Sequence, residues 1–493
     1  MFESAEIGHR VSREVYKAQV PALREALLDA QYRLLESKSC SLIVVVAGVD
    51  GAGKGDTVNL VQEWLDPRHV RVHGIGRPSE DEAERPPFYR FWNRIPARGK
   101  TAVFMGSWYT DPIVDRVHKR TKNTHLDTAM EHIRHFERML TFERVVLLKL
   151  WFHLSESEQR DRLERLEKRA ATRWRVSKTD WANFRLYDRF REVSGRALRE
   201  TSTDYAPWLV VSGKDARFRN LTVGRALLGA LERANQAPGD GTSALVPQTP
   251  PAVDGKTVLD TLDLGLSLDK KKYARELLRH QGELNELIRH PRFAARSLAL
   301  VFEGADAAGK GGAIRRITQA LDARSYHIVP IAAPTDEERA RPYLWRFWRH
   351  LPKRGRVVLF DRSWYGRVLV ERVENLTPPS DWTRAYSEIN DFEEQLIDHG
   401  TIVVKCWLQI DAEEQLRRFE ERQRIDFKRF KITDEDWRNR EKWPDYRDAV
   451  CDMIDRTSTE LAPWTLVEAN DKRHARVKVL RTITDALHGA LGV

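Results

Sequence analysis

The feature that most constrains this chain is an internal copy of itself. GVDGAGKG (48–55) returns as GADAAGKG (304–311), and Lys54 and Lys310 fix an offset of 310 − 54 = 256 residues. The offset holds without a gap for Arg90-Phe91-Trp92 on Arg346-Phe347-Trp348 and for Ser107-Trp108-Tyr109 on Ser363-Trp364-Tyr365. It holds again for Asp180-Trp181 on Asp436-Trp437 and for Ala206-Pro207-Trp208 on Ala462-Pro463-Trp464. Matches of a residue as rare as Trp at one spacing mark a tandem duplication, so the chain must fold as two like domains. The segment 236–255 is rich in Pro, Gly and small polar residues and reads as the linker. The expected domains are therefore 1–235 and 256–493.

Each copy opens with a helical pattern, about 8–37 and 268–289, with apolar residues three and four apart. Short apolar runs follow, separated by charged helical patterns: Ser41–Ala47, Thr101–Met105, Val145–Leu150 and Trp208–Val211, with mates Leu298–Glu303, Arg356–Asp361, Thr401–Trp407 and Thr465–Val467. A weaker run is His327–Ile331. Strands alternating with helices predict a parallel sheet covered on both faces, a three-layer α/β domain in each copy.

The Gly-rich segments lie between a strand and a helical pattern (312–321 in the second copy), which is the setting of a P-loop. The backbone of Gly304, Ala307, Ala308, Gly309, Gly311 and Gly312 is expected to curl N–H groups toward a phosphate, with the helix N-terminus behind them. Lys310 supplies a mobile positive charge. In the common pattern a Ser or Thr follows the Lys and helps hold magnesium, but here Gly55 and Gly311 follow. An acid, Asp50 or Asp306, appears inside the loop instead. Asp306 fits a metal ligand, against the alternative of a turn-forming Asp bonded to its own backbone.

A P-loop enzyme also needs an acid at the end of a neighbouring strand. Asp361 ends the run RVVLFD and is followed by Arg362 and Arg367; the alternative for it is a helix cap. The first copy has Met105 for Asp361, Gly106 for Arg362, and Thr110 and Asp111 for Gly366 and Arg367. It keeps Ser107-Trp108-Tyr109, Asp50, Lys54 and Arg90. It is expected to keep the fold and lose the chemistry, with phosphate binding left open. Arg346, the mate of Arg90, joins the expected phosphate contacts.

A basic lid is expected over about 412–440. Arg417 and Arg418 read as paired or exposed, and Arg422, Lys428, Arg429 and Lys431 as phosphate-facing. Trp345, Trp348, Trp364 and Trp407 read as packing residues. The formal charge of +10 fits a polyanionic partner, whether nucleic acid, an anionic membrane or a phosphate-rich substrate, and fits equally a basic surface that serves only solubility. No apolar run approaches the roughly 20 residues of a membrane helix and no secretory signal is evident, so a cytoplasmic location without a membrane partner is expected. Cys40, Cys406 and Cys451 are too scattered for a metal site or a disulfide framework.

GADAAGKGG (304–312), LFDRSWYGR (359–367) and KRFKITDEDW (428–437) together resemble the polyphosphate kinase 2 family, over nearly all of both copies. The tandem form resembles its class II branch, which converts AMP to ADP with polyphosphate through the C-terminal copy. The resemblance implies inorganic polyphosphate and AMP or ADP as partners and magnesium, or else manganese, as the ion held by Asp306 and Asp361. It implies Asp306, Lys310, Asp361, Arg362 and the lid cations as the working set. Nucleic acid is the disfavoured polyanion, and assembly into a homo-oligomer is left open. Three other readings remain: a polyphosphate-dependent nucleoside diphosphate kinase, an ordinary ATP-dependent kinase, weakened by Gly311, and a polyanion-binding module without turnover.

Overall fold

The computed structural model describes residues 2–236, 257–426, 432 and 434–493. The chain divides into two compact units. One comprises Met1–Pro78, Arg90–Gly241 and Pro334–Trp345; the other comprises Ser79–Tyr89, Thr242–Ala333 and Arg346–Val493.

In the first unit, β1 (Ser41–Gly48), β2 (Val70–Gly74), β3 (Thr101–Met105), β4 (Val145–His153) and β5 (Trp208–Ser212) form one sheet in the order β2-β3-β1-β4-β5. Every pairing is parallel. In the second unit, β6 (Ser297–Gly304), β7 (Tyr326–Pro330), β8 (Val357–Asp361), β9 (Thr401–Gln409) and β10 (Trp464–Glu468) repeat that order from the other edge, β10-β9-β6-β8-β7. All of these pairings are parallel too. Parallel sheets need cover on both faces, which is why the central strands read as unbroken apolar runs. Leu298, Leu300, Phe302, Val357, Leu359 and Leu408 form the core of the second sheet with Leu284, Ile317, Val479 and Ile483 from its helices.

The opening helices are Arg13–Ser37 and Lys270–Arg289. Ser12 and Asp269 cap them, accepting from the N–H groups of Val15 and of Lys271 and Lys272. The four tryptophans read as packing residues are all buried. One strand escaped the sequence: β2, the mate of β7. Its residues VRVHG carry two basic side chains, and only Val70 is buried, because this is an edge strand that contributes little to the core.

Both units hold the same buried ion pair. Lys405 Nζ lies 2.8 Å from Glu393 Oε2 and donates to the Tyr365 hydroxyl at 2.9 Å and the Thr457 carbonyl at 2.7 Å. Glu393 also accepts from Trp364 Nε1 and the Tyr365 hydroxyl. Lys149, Glu137, Tyr109, Trp108 and Thr201 repeat each contact. The cluster recurs in the copy that lacks the strand-end acid, so it belongs to the fold and not to chemistry. Among the described residues, no helix is long and apolar enough to cross a membrane.

Candidate active site

The site forms where β6 and β8 end side by side, with Phe302 paired to Asp361. The carboxyl ends of adjacent parallel strands are where open α/β sheets bind ligands. After β6 the chain passes Gly304, whose φ of +150° and close approach to the Leu408 carbonyl, 2.5 Å from where a Cβ would stand, exclude any side chain. Ala307 takes the left-handed conformation at φ +64°, where the first unit has Gly51. The helix Lys310–Thr318 then starts, capped by Gly309 at φ +115°.

Lys310 Nζ donates to the carbonyls of Gly304 at 2.7 Å and Ala305 at 3.3 Å. Burial pushes its ammonium below the usual lysine range, against the opposing pull of Asp306 and Asp361. Asp306 accepts from Arg362 Nη2 at 2.9 Å on one oxygen and from Asn439 Nδ2 at 2.8 Å on the other. Burial would raise its pKa, but the charges of Lys310 and Arg362 and these two bonds hold it below the usual range. Arg362 is left-handed at φ +62°, its N–H bonded to the Phe302 carbonyl at 3.0 Å, which turns its guanidinium back over the loop. Asp361, half-buried, lies within electrostatic reach of Lys310. Among the described residues its carboxylate makes no hydrogen bond or ion pair. An oxygen ligand in this state, beside a phosphate loop, suits a hard divalent cation that also takes phosphate oxygens.

Other expected residues are held by protein partners. Arg346 is buried and donates to the Ala332 carbonyl at 2.8 Å; Arg90 does the same to Gly76. Arg367 bonds Glu371 at 3.1 Å and Thr377 at 2.8 Å. Arg417 pairs with Glu414, as the sequence implied. Arg422 lies in the last turn of the helix Ala412–Arg424. Lys428, Arg429 and Lys431 lie outside the described residues.

Three residues of the site, Gln415, Asn439 and Glu303, were not singled out from the sequence, and a fourth, Arg418, was read as paired or exposed: it does pair with Glu414, but it also does more. Arg418 is 2% exposed and clamps the loop from behind, donating to the carbonyls of Ala307 and Ala308 at 2.9 Å each and to Ala469 and Asn470 at 2.7 and 2.8 Å. Gln415 donates to the Asp306 carbonyl at 3.1 Å, and Asn439 holds the Asp306 carboxylate. Glu303, the last side chain of β6, is buried and accepts from Ser363 Oγ at 2.8 Å. Burial raises its pKa, opposed by the Ser363 bond and by the charges of Lys310 and Arg362. The repeat carried a signal for Arg418, Gln415 and Asn439, since Arg162, Gln159 and Asn183 stand at the same offset. Glu303 was marked as a charged residue closing an apolar strand whose mate ends in Ala47.

The first unit keeps the scaffold. Lys54 donates to the Gly48 carbonyl at 2.5 Å and pairs with Asp50 at 3.3 Å, and Asn183 and Gln159 each bond Asp50 at 3.0 Å. What surrounds them has changed. Ala47, Met105 and Gly106 replace Glu303, Asp361 and Arg362, and together with Ile113, Val114 and Trp151 they line a cavity of about 400 Å³. Gly106 is at φ +82°, and a Cβ there would stand 2.3 Å from the Ile75 carbonyl oxygen.

Comparison with known proteins follows the same division. The family model for polyphosphate kinase 2 matches residues 10–238 and again 267–491. A protein of Pseudomonas aeruginosa named polyphosphate:AMP phosphotransferase is 55% identical over 497 residues, covering 99% of each chain. One of the same name from Pseudomonas syringae pv. tomato is 53% identical over 492 residues, again covering 99% of each. A crystal structure of a polyphosphate kinase 2 from Pseudomonas aeruginosa matches with a TM-score of 0.90 at 54% identity over 99% of both chains. A Mycobacterium tuberculosis protein named GDP-polyphosphate phosphotransferase is 40% identical over 208 residues, 42% of this chain and 70% of its own.

Proposed function

Because this chain belongs to the polyphosphate kinase 2 family, we propose that it transfers the terminal phosphoryl group of inorganic polyphosphate to AMP, releasing ADP. The chemistry belongs to the second unit. The observation that carries this is the meeting of Asp306, Lys310, Asp361 and Arg362 at the ends of β6 and β8, against the loss of the last two's counterparts in the first unit. AMP is the favoured acceptor because the relatives that match both units carry AMP in their names, whereas the relative matching 42% of the chain is named for GDP.

The acceptor is an oxygen of the AMP phosphate. It attacks the terminal phosphorus, the bridging P–O bond breaks, and the shortened chain leaves with the bond's electrons. The nucleophile is already anionic, so positioning and charge neutralisation carry the rate without a general base. Lys310 and Arg362 neutralise the oxygens of the transferred group. Asp361, and Asp306 if Arg362 swings to substrate, would hold a magnesium ion, which would supply positive charge to the phosphate oxygens. The loop N–H groups and the helix behind them orient the donor. Glu303 fixes the Ser363 turn that carries Asp361 and Arg362.

Purified protein given AMP, polyphosphate and magnesium is expected to form ADP; no product with any nucleotide acceptor would rule the reading out. Diphosphate acceptors run beside AMP decide between the AMP reading and the diphosphate-kinase one. Excess EDTA is expected to stop turnover, and added magnesium to restore it; full activity in EDTA would remove the metal role of Asp361. Glu303→Ala, which copies Ala47, is expected to lower kcat by about 10–100-fold, with Glu303→Gln closer to the parent. Equal and unchanged rates for both would show that Glu303 does not position the turn.

A further inference from the structure

Over 48–56 and 304–312 the two phosphate loops differ at three positions, Val49 for Ala305, Gly51 for Ala307 and Asp56 for Gly312, and the last of these changes the charge. The third residue of the helix after the loop is Asp56, where the second unit has Gly312. Its carboxylate is ringed by three arginines from three elements. Arg175 Nη1 is at 3.3 Å, and Arg162 Nη2 and Arg219 Nη2 are each at 3.8 Å. Arg219 is 4% exposed and lies hard against the loop, its Nη1 2.0 Å from where a Cβ on Gly53 would stand. The second unit has Ala475 at that position. Arg162 is the counterpart of Arg418 but makes none of the carbonyl bonds of the Arg418 clamp; among the described residues its one ion-pair partner is Asp56. The first unit thus has an acid and a buried base beside the loop where the second has Gly312 and Ala475, and Arg162, the mate of Arg418, faces that acid.

A carboxylate within ion-pair reach of three guanidiniums, in the first turn of the helix that follows a phosphate loop, has the charge and the oxygen donors that a phosphate group would offer to the same arginines. We infer that the first unit holds a three-arginine oxyanion site for a phosphate chain, and that the chain's own Asp56 occupies it. The inference rests on the P-loop reading of both units. Asp56 offsets part of the charge of Arg162, Arg175 and Arg219 and fills the place between them, so the first unit does not draw polyphosphate away from the second.

The test is the stoichiometry of inorganic tripolyphosphate binding to the full chain by titration calorimetry, without AMP or magnesium, so that no turnover occurs. Asp56→Gly, the residue of the second unit, is expected to bind one equivalent more than the parent, and Asp56→Asn, which keeps the shape and removes the charge, likewise. Adding Arg219→Ala to Asp56→Gly is expected to abolish the extra equivalent. If both Asp56 variants, folded by circular dichroism, bind no more than the parent, the inference is overturned. It is equally overturned if the parent already binds two equivalents, or if the extra equivalent survives Arg219→Ala. The parent's own count reports on the second unit and the increment on the first, so failure of the proposed function and failure of this inference give different results.

Discussion

Lys310→Ala is expected to lower the rate of ADP formation by about 10²–10³-fold, while Lys54→Ala is expected to leave it within about twofold. The two lysines make nearly the same bond, to Gly304 and to Gly48. The asymmetry therefore comes from their surroundings. Lys310 faces Asp361 and Arg362, and Lys54 faces Met105 and Gly106. Electrostatic stabilisation depends on groups already aimed at the developing charge, and only the second unit has them. Steady-state rates with AMP and polyphosphate check the pair. Comparable losses from both substitutions would mean that the first unit turns over substrate and that the missing acid is supplied from elsewhere.

Glu393→Ala is expected to destabilise the second unit by about 3–5 kcal/mol, because it strands the Lys405 ammonium in the core. Lys405 is fully buried and Glu393 is 2% exposed, and the same carboxylate also holds Trp364 and Tyr365. Burial pushes the Lys405 ammonium below its ordinary range and the Tyr365 hydroxyl well above its own. Replacing both charges, as in Lys405→Met with Glu393→Leu, is expected to cost less than the single change, since no unpaired charge remains. Denaturant unfolding followed by two probes, one for each unit, measures this, since two units need not unfold in one step. A single-mutant loss below about 1 kcal/mol would show that water reaches the cluster.

The repeat made much of this molecule legible. Two α/β units, nine of the ten strands and the phosphate loop follow from apolar runs and a fixed offset, because buried parallel strands have no polar face to blur their pattern. Asp306, Lys310, Asp361 and Arg362 are brought together as their motifs implied. What stayed hidden was long-range polar satisfaction. That Arg418 would reach four backbone carbonyls, or that Asn439 would reach back to Asp306, depends on how helices return to the loop, and no local pattern encodes that. Arg346 shows the same limit: its motif neighbourhood suggested substrate, and nothing local announced that it also donates to the Ala332 carbonyl.

Position 106 limits how the first unit can be re-equipped. With the glycine in place, the neighbouring carbonyl of Ile75 has closed to a distance that leaves no room for even a methyl group. An arginine placed there would collide with main chain before it could serve any substrate, and an acid placed at 105 alone would lack the cation that accompanies Asp361. Restoring an acid and a cation at positions 105 and 106 would therefore take a shift of the Ile75 main chain as well as two substitutions.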